Sequence, residues 1–215
     1  MIPVLGFCTV KRFDLADRLL ASIDYPVEHL VVVDNSGSAS WNPVKPDSVA
    51  NMWVIRVPYG LGLTGAWNLI IKSTPYAPYW LLVNDDAWFE PGALQIIAEQ
   101  ADPNAMNFLH INTKWSAVVF GERVIQDVGL YDESFYPLYF DDNDFERRID
   151  YAGIEKKYIP AVVHHENSST LQSGYQAANN RTYMANLAYW EKKQAESDYS
   201  QGGWSLQVRR ANRWD

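Results

Sequence analysis

Tyr79-Trp80-Leu81-Leu82-Val83-Asn84-Asp85-Asp86-Ala87-Trp88-Phe89-Glu90 carries five apolar or aromatic residues without interruption into two adjacent carboxylates. Such a run reads as a strand buried on both faces, and the polar residues after it place its carboxyl end in a cleft. Open α/β sheets bind ligands at the carboxyl ends of their strands, so Asp85 and Asp86 are the first candidates for a functional site. Paired carboxylates there suit a hard divalent cation that also touches a substrate's phosphates. Asn-Asp-Asp is equally ordinary turn chemistry, and that reading stands beside the first.

Toward the N-terminus, Ile2–Val10 reads as a strand, and residues 14–23 hold Leu15, Leu19, Leu20 and Ile23 at helical spacing. A second, valine-rich strand over His29–Val33 ends in Asp34-Asn35-Ser36-Gly37. Strand, helix and strand within about thirty residues form a βαβ unit, which favours a parallel sheet with a right-handed crossover. Thr9 and Asp34 then project from neighbouring strand ends. Residues 38–51, with Pro43 and Pro46, read as a loop, and Met52–Val57 as a short third strand. Tyr59-Gly60-Leu61-Gly62-Leu63-Thr64-Gly65-Ala66-Trp67-Asn68 approaches a helix that runs to Lys72. Glycines there admit a ligand close to the backbone and a helix N-terminus favours phosphate; a tightly packed helix entry explains the same residues. The stretch is not a Walker loop, for no Gly-Lys-Ser/Thr follows.

A chain of 215 residues with 47% hydrophobic and 20% charged residues is globular, with length enough for one domain and a full core. We read a single domain over 1–196 and a tail over 197–215. The net charge of -8 argues against nucleic acid as a partner. The single Cys8 excludes an internal disulfide and fits a reducing compartment. With no basic leader and no apolar stretch near the roughly 18 residues of a spanning helix, the expectation is a cytoplasmic protein without a transmembrane segment.

Toward the C-terminus, Pro91 opens a helix to Gln100. Met106–Ile111 and Trp115–Phe120 read as strands, and residues 121–128 as a short helix stopped by Gly129. Leu130–Pro137 is an aromatic loop of the kind that lines a cleft. Asp141-Asp142-Asn143-Asp144 begins a helix running to Tyr151. Acids in a first turn complement the helix dipole, but three in four positions exceed what capping needs, and their repulsion suits a general base. Glu155–Val163 is a last strand, ending in His164-His165, a candidate ligand pair in a chain with four histidines. Residues 168–174 read as a mobile loop that could act as a lid, and Tyr175–Glu196 as a long helix. The tail carries Trp204, Arg209, Arg210, Arg213 and Trp214, which either touch an anionic acceptor or membrane surface, or stay solvated or fold back on the domain.

Taken together, these motifs resemble the family-2-type inverting glycosyltransferases of GT-A fold, especially the rhamnosyltransferase-like members of bacteria and phages. The resemblance spans Pro3 to Thr170. It rests on Val32–Ser36, on Gly62–Asn68, on Asn84-Asp85-Asp86 followed by Glu90–Leu94, on Val128–Glu133, on Asp141–Phe145 with Arg148, and on Pro160 through His164-His165. It implies a Rossmann-like α/β fold with a mostly parallel central sheet flanked by helices. It also implies a nucleotide-sugar site at Thr9, Asp34, Asn35, Gly65, Asn68, Asn84 and Asp85, taking a UDP-, dTDP- or GDP-sugar. By the same resemblance Asn84-Asp85-Asp86 falls at the family's D-x-D position, with Asp86 as metal contact and His164 or His165 as a further metal or diphosphate contact. Mn²⁺ or Mg²⁺ is the implied cofactor, and Asp142 the implied base. Departures are Asn84 for the first acid of the motif, Gly60 for a common asparagine and Ile70 for a common glycine.

The implied reaction is metal-dependent transfer of a hexosyl or deoxyhexosyl group to an acceptor hydroxyl with inversion. Two rivals remain at the level of sequence. A nucleotidyltransferase also joins an α/β nucleotide fold to acidic metal ligands, although Gly6-Phe7-Cys8-Thr9 is not its usual glycine-rich, basic loop. A catalytically silent nucleotide- or glycan-binding module is the other.

Overall fold

Alternate side chains of the first strand, β1 (Ile2–Thr9), face two different cores. Leu5 and Phe7 join one, Val4 and Cys8 the other. The same division splits Leu81 and Val83 from Trp80 and Leu82 in β4 (Tyr79–Asn84), as expected of strands covered on both faces. In this computed structural model, which describes residues 1–38, 40–110, 114–166, 176–200 and 204–211, eight strands form one curled mixed sheet in the order β3-β2-β1-β4-β7-β6-β8-β5. The others are β2 (Val27–Asp34), β3 (Val49–Arg56), β5 (Ala87–Phe89), β6 (Met106–His110), β7 (Ala117–Gly121) and β8 (Lys156–His165).

β1, β2, β3 and β4 pair in parallel, and β6 with β8 likewise, while β7 runs antiparallel to both β4 and β6, and β5 antiparallel to β8. Six strands thus share one direction, and the carboxyl ends of β1, β2 and β4 open onto one edge. The helices are α1 (Phe13–Ala21), α2 (Gly62–Ser73), α3 (Ala93–Gln100), α4 (Glu122–Asp127), α5 (Asp141–Tyr151), α6 (Gln176–Ala195) and α7 (Leu206–Ala211). α1 and α3 supply one core and α2, α4 and α5 the other. α2 lies so close to β1 that a Cβ on Gly6 would meet the Ile70 side chain at 2.5 Å.

Two expectations change, and one alternative for the tail is met. The turn after β4 is followed by β5, a strand too short to show periodicity, which pairs Ala87 with His165 and Trp88 with His164. The histidines therefore lie within β8 and not beyond its end. α3 starts at Ala93, because Gly92 adopts a left-handed backbone (φ 81°) that keeps Pro91 out of the first turn. Part of the C-terminal tail folds back: Leu206 is buried, and Arg210 pairs with Glu122 and donates to the carbonyls of Pro75 and Ala77. Arg213 and Trp214, and the expected lid over 168–174, lie outside the described residues. Among the described residues no helix is long and apolar enough to cross a membrane.

Candidate active site

The first wall is built by parallel register. Thr9 lies opposite Asp34, and the Asn35 N–H donates to the Thr9 carbonyl at 2.8 Å. Asp34 is buried. Its Oδ1 accepts from the Ser36 N–H and hydroxyl, while Oδ2 lies 3.7 Å from the Arg56 guanidinium with no hydrogen bond of its own. A buried acceptor left in that state is what a ligand's N–H or hydroxyl would satisfy.

Asn35 and the glycine-rich stretch turn out to serve each other. The Asn35 side chain accepts from the Leu61 N–H at 2.7 Å and donates to the Gly62 carbonyl at 3.2 Å. Gly62 sits at φ +73°, and a Cβ there would meet the Pro137 carbonyl at 2.8 Å. The Leu63 N–H donates to that same carbonyl. This first-turn donor of α2 is thus taken by protein, which favours the packed-entry reading over the phosphate cradle. Asn68 is buried behind the wall: its amide donates to the Tyr131 carbonyl and Glu133 Oε1, and its oxygen accepts from the Tyr131 N–H, all at 2.9 Å. Gly65 allows the same approach, since a Cβ there would meet Leu61 at 3.1 Å and Glu133 at 3.8 Å.

At the end of β4, the Asn84 N–H donates to the Ser116 carbonyl, and the buried Asn84 Oδ1 has no hydrogen-bond partner. Burial pushes the Asp85 carboxyl up to about 7, with the Asp86 charge adding to the rise and Thr9 opposing it. Asp86 is buried against His165, whose Nε2 lies 2.9 Å from Asp86 Oδ1. His164 points the other way. It pairs with Glu90 and stacks on Trp88 at 5.2 Å, and the Arg18 guanidinium lies 3.7 Å from the centre of the Trp88 ring. The two-residue repeat of β8 dictates this: Ile159, Ala161 and Val163 face the core and Tyr158, Pro160 and Val162 face out, so His165 turns inward and His164 outward.

Among the described residues no group of three or more His, Cys, Asp or Glu side chains is arranged to hold a metal ion. Two protein donors fit a cation that keeps substrate phosphates and water as its other ligands, which is how Mg²⁺ is commonly held. Asp86 and His165 offer one carboxylate and one imidazole, and the orphaned Asn84 oxygen is at the same strand end.

The second wall is the start of α5. Burial pushes the Asp141 carboxyl up to about 7, helped by the charge of Asp142, and burial raises Asp142 as well. Asp142 is only half-buried, and its Oδ1 accepts the Asn143 N–H at 2.8 Å. Tyr139 and Phe140, immediately before the pair, both hold positive φ (81° and 63°), a rare backbone for bulky residues. The two walls are joined by residues 114–116. Lys114 pairs with Glu146 of α5 at 2.5 Å, Trp115 meets Phe145 edge-on, and Ser116 holds Asn84.

The residues that sequence reasoning missed are on α6. Lys193 is buried and pairs with Asp132 and with Asp144, each at 2.8 Å; Tyr189 donates to Asp132, and Asn186 donates to the Leu138 carbonyl at 2.8 Å. Asp144 also takes Arg148 Nε at 2.8 Å. α6 therefore holds the whole 132–144 segment that presents Asp142.

A pH prediction follows from Asp141. The folded state keeps a proton on it that the unfolded chain has lost between about pH 4 and about pH 7, so its contribution to stability declines as pH rises through that window. Asp141→Asn is expected to gain stability relative to the parent chain over that range, read from urea unfolding at several pH values. A difference that stays constant with pH would contradict the buried, protonated state.

No protein-family model matches the chain, and no curated protein does. Solved structures do. S. aureus TarS is similar with a TM-score of 0.58 and 15% identity, over 78% of this chain and 37% of that one. GalNAc-T7, crystallised with UDP, GalNAc and Mn²⁺, is similar with a TM-score of 0.62 and 10% identity, over 77% and 44%. S. aureus TarS 1-349 in complex with UDP-GlcNAc gives 0.59 and 14%, over 81% and 62%. The fold is that of the GT-A glycosyltransferases. Likeness at these identities establishes the GT-A architecture, and the chain spans only 37%, 44% and 62% of these three structures. In the GT-A frame the edge built by β1, β2, β4 and α5 is the candidate active site.

Proposed function

We propose that the chain is an inverting glycosyltransferase that moves a hexosyl or deoxyhexosyl group from a nucleoside-diphosphate sugar to an acceptor hydroxyl, assisted by a divalent cation. The observation that carries this is the pairing of two unlike acidic sites across residues 114–116: the inward Asp86–His165 pair at one wall and the Asp141–Asp142 pair, raised by burial, at the other. The GT-A fold and the UDP-bound neighbours support a nucleotide-sugar donor.

In this reading Asp34 receives an N–H or hydroxyl of the nucleoside on its open Oδ2, with Thr9 beside it. Asn35 fixes the adjoining loop, and Asn68 and Gly65 brace the wall from behind. Asp86 and His165 would hold the cation, which when bound would neutralise charge growing on the departing diphosphate. Asp142 accepts the acceptor's proton as its oxygen attacks the anomeric carbon opposite the leaving group, so one displacement inverts that centre. His164, on the outer face, takes no part. The donor nucleotide is UDP-, dTDP- or GDP-linked, and a deoxyhexose such as rhamnose fits the sequence resemblance.

A thermal-shift panel of UDP, GDP and dTDP, each with Mn²⁺, Mg²⁺ or chelator, tests the donor site. A ligand at about 100 times its Kd contributes about 2.7 kcal/mol, a rise of roughly 5–10 °C for a domain of this size. One nucleoside diphosphate is expected to give such a rise with metal, and chelator or Asp86→Ala to remove most of it. No rise with any nucleotide would overturn the reading.

A further inference from the structure

We propose that Asn186 of α6 is a positioning residue for Asp142, acting by holding Tyr139 and Phe140 in their left-handed backbone so that α5 begins with its acids turned to the site. The inference rests on the reading of Asp142 as the base. Two consecutive aromatic residues at φ 81° and 63° carry a conformational cost that a neighbouring structure must offset. Asn186 is buried, and its amide donates to the Leu138 carbonyl at 2.8 Å and reaches the Tyr139 carbonyl at 3.4 Å. Those are the two peptide units on either side of the Tyr139 φ,ψ pair. Phe140 then fills the N-cap position of α5, and its carbonyl accepts the Asp144 N–H at 2.9 Å. No side chain caps α5, so this backbone sets how its first turn begins. The ring of Tyr183, one turn before Asn186 on α6, packs against both Tyr139 (5.4 Å) and Phe140 (5.0 Å). α6 thus grips the strained pair through one amide and one ring.

The test uses Asn186→Leu, which keeps side-chain volume and removes the donor, alone and combined with Tyr139→Gly. Glycine adopts positive φ at no steric cost, so it relieves the strain that Asn186 offsets. In the single variant kcat is expected to fall about 10- to 100-fold with the nucleotide thermal shift unchanged, since a small misplacement of a catalytic group costs that much. Hydrogen exchange of the Asp144 amide is expected to accelerate about tenfold while the Ala152 amide at the far end of α5 stays protected. Adding Tyr139→Gly is expected to restore much of both. Asn186 acting only as a staple for α6 predicts the opposite: general loss of protection along α6 and no rescue by glycine. Unchanged Asp144 exchange in Asn186→Leu overturns the proposal, and this readout needs no turnover. Failure of the base assignment shows separately, as transfer retained by Asp142→Asn.

Discussion

Asp142→Asn is expected to lower kcat by about 10²- to 10⁴-fold, the range that a positioned general base contributes, while the nucleotide-dependent thermal shift stays at the parent level. The substitution keeps size and the ability to accept the Asn143 N–H, but an amide does not take a proton at neutral pH. Asp141 is the competing candidate, being adjacent and equally acidic. Its burial is nearly complete, with the N–H groups of Tyr139 and of Asp141 itself directed at its carboxyl, so it faces the protein. Asp142 is half-buried beside Lys114 and is the more open of the two. Asp141→Asn is therefore expected to keep most of its turnover. Because burial raises Asp142, activity in the parent chain is expected to climb with pH through a midpoint above that of an ordinary aspartate. Transfer that survives in Asp142→Asn, or that is lost in Asp141→Asn instead, would reassign the base.

How much of this could be read beforehand depends on the range over which each feature is encoded. The apolar runs of β1, β2 and β4 are local signals, and each strand lies within about three residues of its expected limits. α5 starts at Asp141 and reaches Tyr151 as the acid cluster and helical pattern implied. The opposite orientations of His164 and His165 were also legible, since Ile159, Ala161 and Val163 alternate with Tyr158, Pro160 and Val162 and the parity carries through. What hid that was the placing of the histidines beyond the strand, for β5 is too short to announce the pairing that extends β8. The closure of the glycine-rich stretch depends on Pro137, some seventy-five residues away, and no local pattern reports it. Tyr139 and Phe140 run against local preference outright, and only the surrounding structure compels them.

Lys193 was the least legible residue, because a lysine in a polar helix reads as solvent-exposed. Its replacement is expected to have the largest effect on stability. Two buried carboxylates, Asp132 and Asp144, face two buried cations, Lys193 and Arg148, so the cluster is neutral. Burial alone would push Asp132 up, but Lys193, the Ser134 N–H and Tyr189 outweigh it and hold the carboxyl below its usual value. Lys193→Met leaves one buried negative charge without its partner, which costs about 3–5 kcal/mol, or a fall in Tm of roughly 10 °C for a chain of this length. Neutralising the charge left behind, in Lys193→Met with Asp132→Asn, is expected to recover a large part of that loss, because the cost lies in the uncompensated charge more than in the broken contact. The double variant nonetheless still lacks the tie between α6 and Asp144. Its kcat is therefore expected to remain low where its Tm recovers, and a double variant that regains both would show that Lys193 stabilises the chain without helping to hold the segment that presents Asp142.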